Sequence, residues 1–297
     1  MNAIATACIA VCADDFGLHD AITRGVLVLA GCGRVNGVGC LVGAPSWAGA
    51  RSELGALAAK GIDIGLHLDL TAQPIDAGMK FALPRLIVQA LLRRLPEKAI
   101  EAEIVRQLDR FAQDLGRAPD YIDGHQHVHQ LPQVRDALLR VIARGNSRPW
   151  LRSTRRAREL QAPPDATLAE RLKPRVIERL GAAALERAAD AVPLAHNRRL
   201  LGVHGFRADA TGAAGYRAWL DAWLAVTADD DLLMCHPARW HGEALRSDDP
   251  IAHARAIECE VLASDWMGEA LARHGVTLAR LGRLVRSAPA AAALRRA

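Results

Sequence analysis

The chain has 297 residues, about half of them apolar, and a formal charge of +5, so it can bury one large core or two small ones. Its arginines are spread among acids and only 4% of its residues are aromatic, which argues against a nucleic-acid partner. The N-terminus lacks a cationic start, and no apolar run reaches the roughly 20 residues of a membrane helix. We therefore expect a cytoplasmic protein without stable membrane insertion.

Apolar runs of strand length alternate with longer segments of helical periodicity, a pattern typical of β-α units around a parallel sheet. Strands are predicted at 7–12, 38–42, 62–70, 121–123, 150–152, 200–206 and 231–237. Helices are predicted at 21–30, 47–59 and 134–143, and as two helices within 84–115 that are broken at Pro96 and closed by Gly116.

The region 155–198 is rich in Ala, Arg and Glu and is predicted to form helical insertions or a lid. No internal repeat and no Gly/Ser linker divides the chain. We predict one domain over 1–287, followed by an Ala/Arg-rich tail at 288–297. The six cysteines form no C-x-x-C pair and are predicted to be reduced, buried core thiols.

Ionisable residues fall where the predicted strands end. They are Asp14 and Asp15, His67, Asp123 with His125, and His236. In a parallel β/α barrel the carboxyl ends of the strands meet on one face, so residues more than two hundred positions apart can share a pocket. The pattern predicts one polar site at that face.

The adjacent acids of ADDFG cannot point the same way on an extended chain. One of Asp14 and Asp15 can therefore bind a metal while the other faces the reacting water, and Phe16-Gly17 supplies the turn that this division needs. The alternative is that the pair caps the helix that follows. His67 could equally be a hydrogen-bonded core histidine, and His236 a histidine that shapes a loop.

The segment DGHQHVH carries histidines at alternate positions, which would place three imidazoles on one side of an extended segment. We expect His125, nearest the strand end, to bind a metal, with His127, His129 and Asp123 contacting the substrate or the ligands. A histidine-rich surface tract that binds metal adventitiously is the alternative. Arg152, at another strand end, could bind substrate or pair with an acid.

The motifs ADDFG, GLHLDLT, DGHQHVH and MCHP, in this order over about residues 9–240, closely resemble those of the YdjC/ChbG-type carbohydrate deacetylases. The resemblance implies a distorted TIM-like (β/α) barrel that removes N-acetyl groups from N-acetylglucosamine-containing oligosaccharides or glycolipids with one divalent metal. It further implies Asp15, His67 and His125 as ligands, Asp14 as general base and His236 as general acid. The NodB-type polysaccharide deacetylases are similar in mechanism.

Two departures from the family pattern concern sugar contacts: Cys12 precedes ADDFG, and HDAITRGV follows it. One carboxylate with two imidazoles favours zinc, whereas relatives are often described with magnesium. The alternatives are a metal hydrolase of another class, acting on phosphoesters or other amides, and an inactive sugar-binding or metal-binding barrel. A homodimer is also expected.

Overall fold

A computed structural model describes residues 7–241 and 249–284 of the chain. Its eight strands are β1 (Ala7–Phe16), β2 (Gly37–Cys40), β3 (Asp63–Leu68), β4 (Tyr121–Gly124), β5 (Trp150–Leu151), β6 (Leu200–Leu201), β7 (Leu232–Cys235) and β8 (Val276–Leu278). The predicted strands are confirmed in position, although the fifth and sixth are reduced to two residues each. The predicted tail at 288–297 lies outside the described residues.

The helices that alternate with these strands are α1 (Asp20–Gly31), α2 (Trp47–Ala50), α3 (Leu54–Ala59), α4 (Leu83–Leu91), α5 (Glu97–Leu115), α6 (Pro132–Arg144), α7 (Leu168–Arg179), α8 (Ala182–Ala191), α9 (Ala208–Leu224), α10 (Ala252–Ala263), α11 (Asp265–Arg273) and α12 (Leu281–Leu284). The predicted helix at 47–59 is interrupted by a 3-10 turn at 51–53. The break before Glu97 and the end of α5 at a left-handed Gly116 are confirmed.

All strand pairings are parallel, in the order β5-β4-β3-β2-β1-β7-β6, with β8 pairing the start of β1. Two isolated bridges, Leu151 with His196 and Arg156 with Leu200, link the chain around the two edge strands. The sheet therefore curls into the distorted TIM-like barrel expected, with α7 and α8 added in the connection between β5 and β6.

Two apolar layers hold this barrel together. The larger lies between the sheet and the surrounding helices, and a smaller cluster around Cys12, Tyr121, Trp150 and Met234 fills the inside. The rings of Tyr121 and Trp150 stack with centroids 4.2 Å apart. A Cβ on Gly65 would lie 2.4 Å from the Tyr121 ring, so only glycine admits that ring on the inner face of β3.

Burial explains the state of the cysteines. Cys12, Cys40, Cys235 and Cys259 are buried, Cys8 is half-buried and Cys32 is exposed, and all six are free thiols. The prediction of buried core thiols is thus right for four and wrong for Cys32, which follows the end of α1 at the surface. Within the described residues, no helix is long and apolar enough to cross a bilayer.

Candidate functional site

The end of β1 places two adjacent carboxylates in different directions. Asp15 has a positive φ of 67°, and the register between β1 and β2 shifts between Ala13 and Phe16. Aspartate tolerates this left-handed conformation better than most residues. The distortion turns Asp14 toward Arg152 and Asp15 toward His125, so the two side chains point in different directions, as expected from the sequence.

Asp15, His67 and His125 form a compact group of possible metal ligands. The Oδ1 atom of Asp15 lies 2.9 Å from Nδ1 of His125 and 3.4 Å from Nε2 of His67. One ligand atom from each residue lies within 4.8 Å of the other two. Two imidazoles and a carboxylate at this spacing suit a divalent transition metal and leave coordination positions open. The residues present therefore fit one such ion.

Asp123 orients one of these histidines. Its Oδ1 atom lies 2.7 Å from Nδ1 of His67, and both side chains are buried. A carboxylate at Nδ1 favours the proton there and leaves Nε2 free to bind a cation, as in many metal sites. Burial alone would lower the pKa of His67, but the neighbouring Asp123 and Asp14 raise it well above its usual value when no cation is present.

Arg152 joins Asp14 to Asp123 inside the barrel. Its Nη1 and Nη2 atoms donate to the two oxygens of Asp14 at 2.6 and 2.7 Å, and Nη2 lies 2.6 Å from Asp123 Oδ2. The Arg152 side chain is fully buried. Burial raises the pKa of Asp14, but Arg152 and then His67 outweigh it and lower that pKa to about 2. Of the two roles left open for Arg152, the structure supports pairing with acids.

His236 follows β7 on the other side of Asp14. Its Nε2 atom is 3.9 Å from Asp14 Oδ2, and its backbone N–H donates to Glu258 at 2.6 Å. The Phe206 ring packs edge-on against it at 5.2 Å. Burial lowers the pKa of His236 despite the nearby carboxylates, which favours the neutral imidazole. Among the described residues, its Nδ1 atom has no hydrogen-bond partner.

The expectation of an extended histidine segment is wrong. Residues His125–Gln130 form a 3-10 turn in which Gln126 and His127 have positive φ, so the three imidazoles do not share one side. His129 is fully buried and its Nε2 bonds the Arg152 carbonyl at 2.8 Å, and burial lowers its pKa to about 4. His129 thus supports the backbone at Arg152. Within the described residues, His127 does not belong to the group of possible metal ligands formed by Asp15, His67 and His125.

Sequence reasoning missed the contribution of α10 and its neighbours. Arg255 donates to Asp15 Oδ2 at 2.6 Å and to Asp249 at 2.8 Å. Glu258, one turn later, accepts from the backbone of His236 and lies 2.8 Å from Nε2 of His204. The spacing of three puts both charges on one helix face. The signal was present, because both charged residues fall among the apolar positions of this helix.

The fold and the site together define a β/α-barrel protein with a buried carboxylate–histidine centre at the carboxyl ends of its strands. Residues 8–273 match the family model described as YdjC-like protein, and the chain belongs to the YdjC-like family.

Relatives of known name support the same relationship. The chain is 30% identical over 286 residues to a chitooligosaccharide deacetylase from Serratia marcescens, covering 90% of this chain and 94% of that one. It is 30% identical over 145 residues to a carbohydrate deacetylase from Danio rerio, and this match spans only 45% of each protein.

A solved structure shows the same fold. A candidate cellobiose-phosphate cleavage protein from Enterococcus faecalis V583 superposes with a TM-score of 0.69 at 22% identity, covering 95% of this chain and all of that one. At this identity the likeness concerns architecture alone.

Proposed function

We propose that this chain is a metal-dependent carbohydrate N-deacetylase, with Asp14 as general base and His236 as general acid. The observation that carries the proposal is the position of Asp14 between the Asp15, His67, His125 group and His236. The full-length match to a chitooligosaccharide deacetylase supports N-acetylglucosamine oligomers as the substrate class.

Asp15, His67 and His125 would hold the cation. A divalent cation bound there supplies Lewis-acid polarisation of an amide carbonyl and lowers the pKa of a water molecule. The two imidazoles favour zinc over magnesium, since magnesium prefers oxygen ligands and retains its water.

The protein's own groups would manage the protons. Asp14, kept ionised by Arg152, accepts a proton from the water that attacks the acetyl carbonyl carbon. Burial favours the neutral imidazole of His236, whose Nε2 atom lies 3.9 Å from Asp14 Oδ2 and would receive this proton from Asp14. His236 then protonates the amide nitrogen as the C–N bond breaks, and acetate and a free amino sugar leave. In this scheme the proton taken from water is the one that the amine receives.

The first experiment measures acetate release from N-acetylglucosamine oligomers and other N-acetylated sugars, with chelator and with added zinc or magnesium. Chelator should abolish release. Asp14→Asn should lower the rate about 10²- to 10⁴-fold while metal content stays at the wild-type level, and the surface variant Asp136→Asn should match wild type. No release from any sugar by the metal-loaded protein would refute the deacetylase and favour another hydrolase or a binding protein.

The role of His236 has a separate test. An amide nitrogen leaves poorly without a proton, whereas an activated acetyl ester releases a stable anion. His236→Ala should therefore lose about 10²-fold or more in kcat on the sugar amide and far less on the ester. Equal losses on both substrates would assign His236 to binding or to structure.

A further inference from the structure

The helix α7 exposes a stripe of aliphatic side chains. Leu168, Leu172 and Val176 are 71%, 40% and 56% exposed. They follow one another at four-residue spacing, which places them in one line along the helix surface. Exposed aliphatic side chains that are contiguous on a surface are typical of a site that another surface covers.

A cationic stripe runs beside the aliphatic one. Arg171, Arg175 and Arg179 are exposed and share the four-residue spacing, so at about 100° per residue they alternate with the aliphatic positions on the same outward half of the helix. Arg175 and Arg179 have no hydrogen-bond or ion-pair partner within residues 7–241 and 249–284. They also line a groove between α7 and α8 together with Arg158 and Arg187.

The inner half of α7 is fixed to the barrel. Thr167 and Glu170 form a reciprocal capping box at its start. Lys173 donates to the His204 carbonyl at 2.7 Å, and Gln130 donates to the Ile177 carbonyl at 3.0 Å. These contacts fix the rotation of α7 about its axis, so its mixed aliphatic and cationic face is held toward the outside of the protein.

We propose that this outward face of α7 docks the protein on an anionic phospholipid surface. A helix that lies in a membrane interface places aliphatic side chains at the acyl boundary and arginines at the phosphate level, and α7 offers both on one face. A nucleic acid would have no use for the aliphatic stripe. Docking here adds to the proposed deacetylase activity and does not depend on it.

Hydrogen bonds connect the inner side of α7 to the candidate site. Lys173 bonds the backbone of His204, whose ring reaches Glu258 and through it the backbone of His236. This chain of hydrogen bonds connects the inner side of α7 to the backbone of His236.

Vesicle co-sedimentation of the full chain tests the proposal. The probes are vesicles of phosphatidylcholine alone and of equal parts phosphatidylcholine and phosphatidylglycerol. Binding should require the anionic lipid and weaken with salt. Arg175→Gln with Arg179→Gln should lower the partition coefficient about thirtyfold, and Val176→Ser about fivefold. Circular dichroism and thermal unfolding confirm that each variant is folded.

Matched controls carry the same substitutions elsewhere on the surface. Arg110→Gln with Arg148→Gln removes equal charge, and Val105→Ser removes a comparable aliphatic group from α5; both should bind as wild type. Equal binding to neutral and anionic vesicles would overturn the proposal. So would equal losses in the controls. Loss in the arginine variant with no effect of Val176→Ser would show attraction by charge alone and overturn docking through the aliphatic stripe.

Discussion

Arginines in two regions of this molecule follow opposite rules. At the candidate site, Arg152 and Arg255 are buried and each contacts two carboxylates. On α7, Arg175 and Arg179 are exposed and have no acid partner among the described residues. A buried charge is tolerated only when an opposite charge or hydrogen bonds compensate it, whereas an exposed charge is hydrated and needs no partner within the protein. Arg152 and Arg255 therefore compensate the carboxylates of the candidate site, whereas Arg175 and Arg179 can meet a partner at the surface.

Removing an inner arginine should give the largest effect. Arg152→Met leaves Asp14 and Asp123 buried without their cation, and we expect the free energy of unfolding to fall by about 3–5 kcal/mol. Urea denaturation measures this value. Arg152→Lys keeps the charge but loses the two-pronged contact with Asp14. Its free energy of unfolding should therefore lie between those of wild type and Arg152→Met. An unchanged midpoint in Arg152→Met would show that the inner charges are not under this constraint.

Asp123→Asn tests the orientation of His67. The amide removes the negative charge that holds the proton on Nδ1, so zinc affinity should fall about 10- to 100-fold. Competition with a chromophoric chelator measures the affinity, with the surface variant Asp136→Asn as control. His67→Ala should lose far more metal than Asp123→Asn. Zinc affinity at the wild-type level in Asp123→Asn would show that Asp123 does not orient His67 for metal binding.

The contribution of the buried Glu258 to the free energy of unfolding should depend on pH. Burial raises its pKa, but contacts with His204 and His236 outweigh this and lower it below its usual 4.5. The ionised side chain therefore adds stability above about pH 4.5, and that stability is lost as the pH falls through the lower pKa of the folded state. Glu258→Gln should lose about 1–3 kcal/mol at neutral pH.

The readout is the difference in unfolding free energy between wild type and Glu258→Gln, measured from pH 7 to pH 3 (about the range in which carboxylates titrate). This difference should shrink as the pH falls below about 4.5. A difference that stays constant with pH would show that the ionised form of Glu258 is not what the fold stabilises.

Outer arginines should give the smallest effect on stability. Arg175→Gln with Arg179→Gln should change the free energy of unfolding by no more than about 0.5 kcal/mol, because these side chains are exposed and unpaired within the described structure. Thermal and urea unfolding check this. A large loss would mean that the two arginines serve the fold, and the contrast with Arg152 would disappear.

The sequence predicted most of the barrel and of its polar face because strand ends can be read from apolar runs. Asp14, Asp15, His67, His125 and His236 were found in this way, and the structure brings them together. Parallel strands make this possible, since sequence position at a strand end fixes position on the barrel.

Other features depended on backbone geometry and tertiary packing. The left-handed turn at Gln126 and His127 redirects the histidines that follow, and alternation in sequence cannot report it. Arg255 and Glu258 are buried on a helix whose other buried residues are apolar. Apolar periodicity predicts only apolar residues on the inward face, so it does not predict these two charged residues there. Their partners on β1 and after β7 are known only once α10 is placed.

The left-handed backbone conformation of Asp15 limits which residues can replace it in the candidate metal site. The same residue supplies a carboxylate and the local bend that separates it from Asp14. Asparagine shares the tolerance for that bend, whereas branched or bulky side chains would push the strand straight. Substitutions meant to set the metal preference of this candidate site would therefore have more freedom at His67 and His125 than at Asp15.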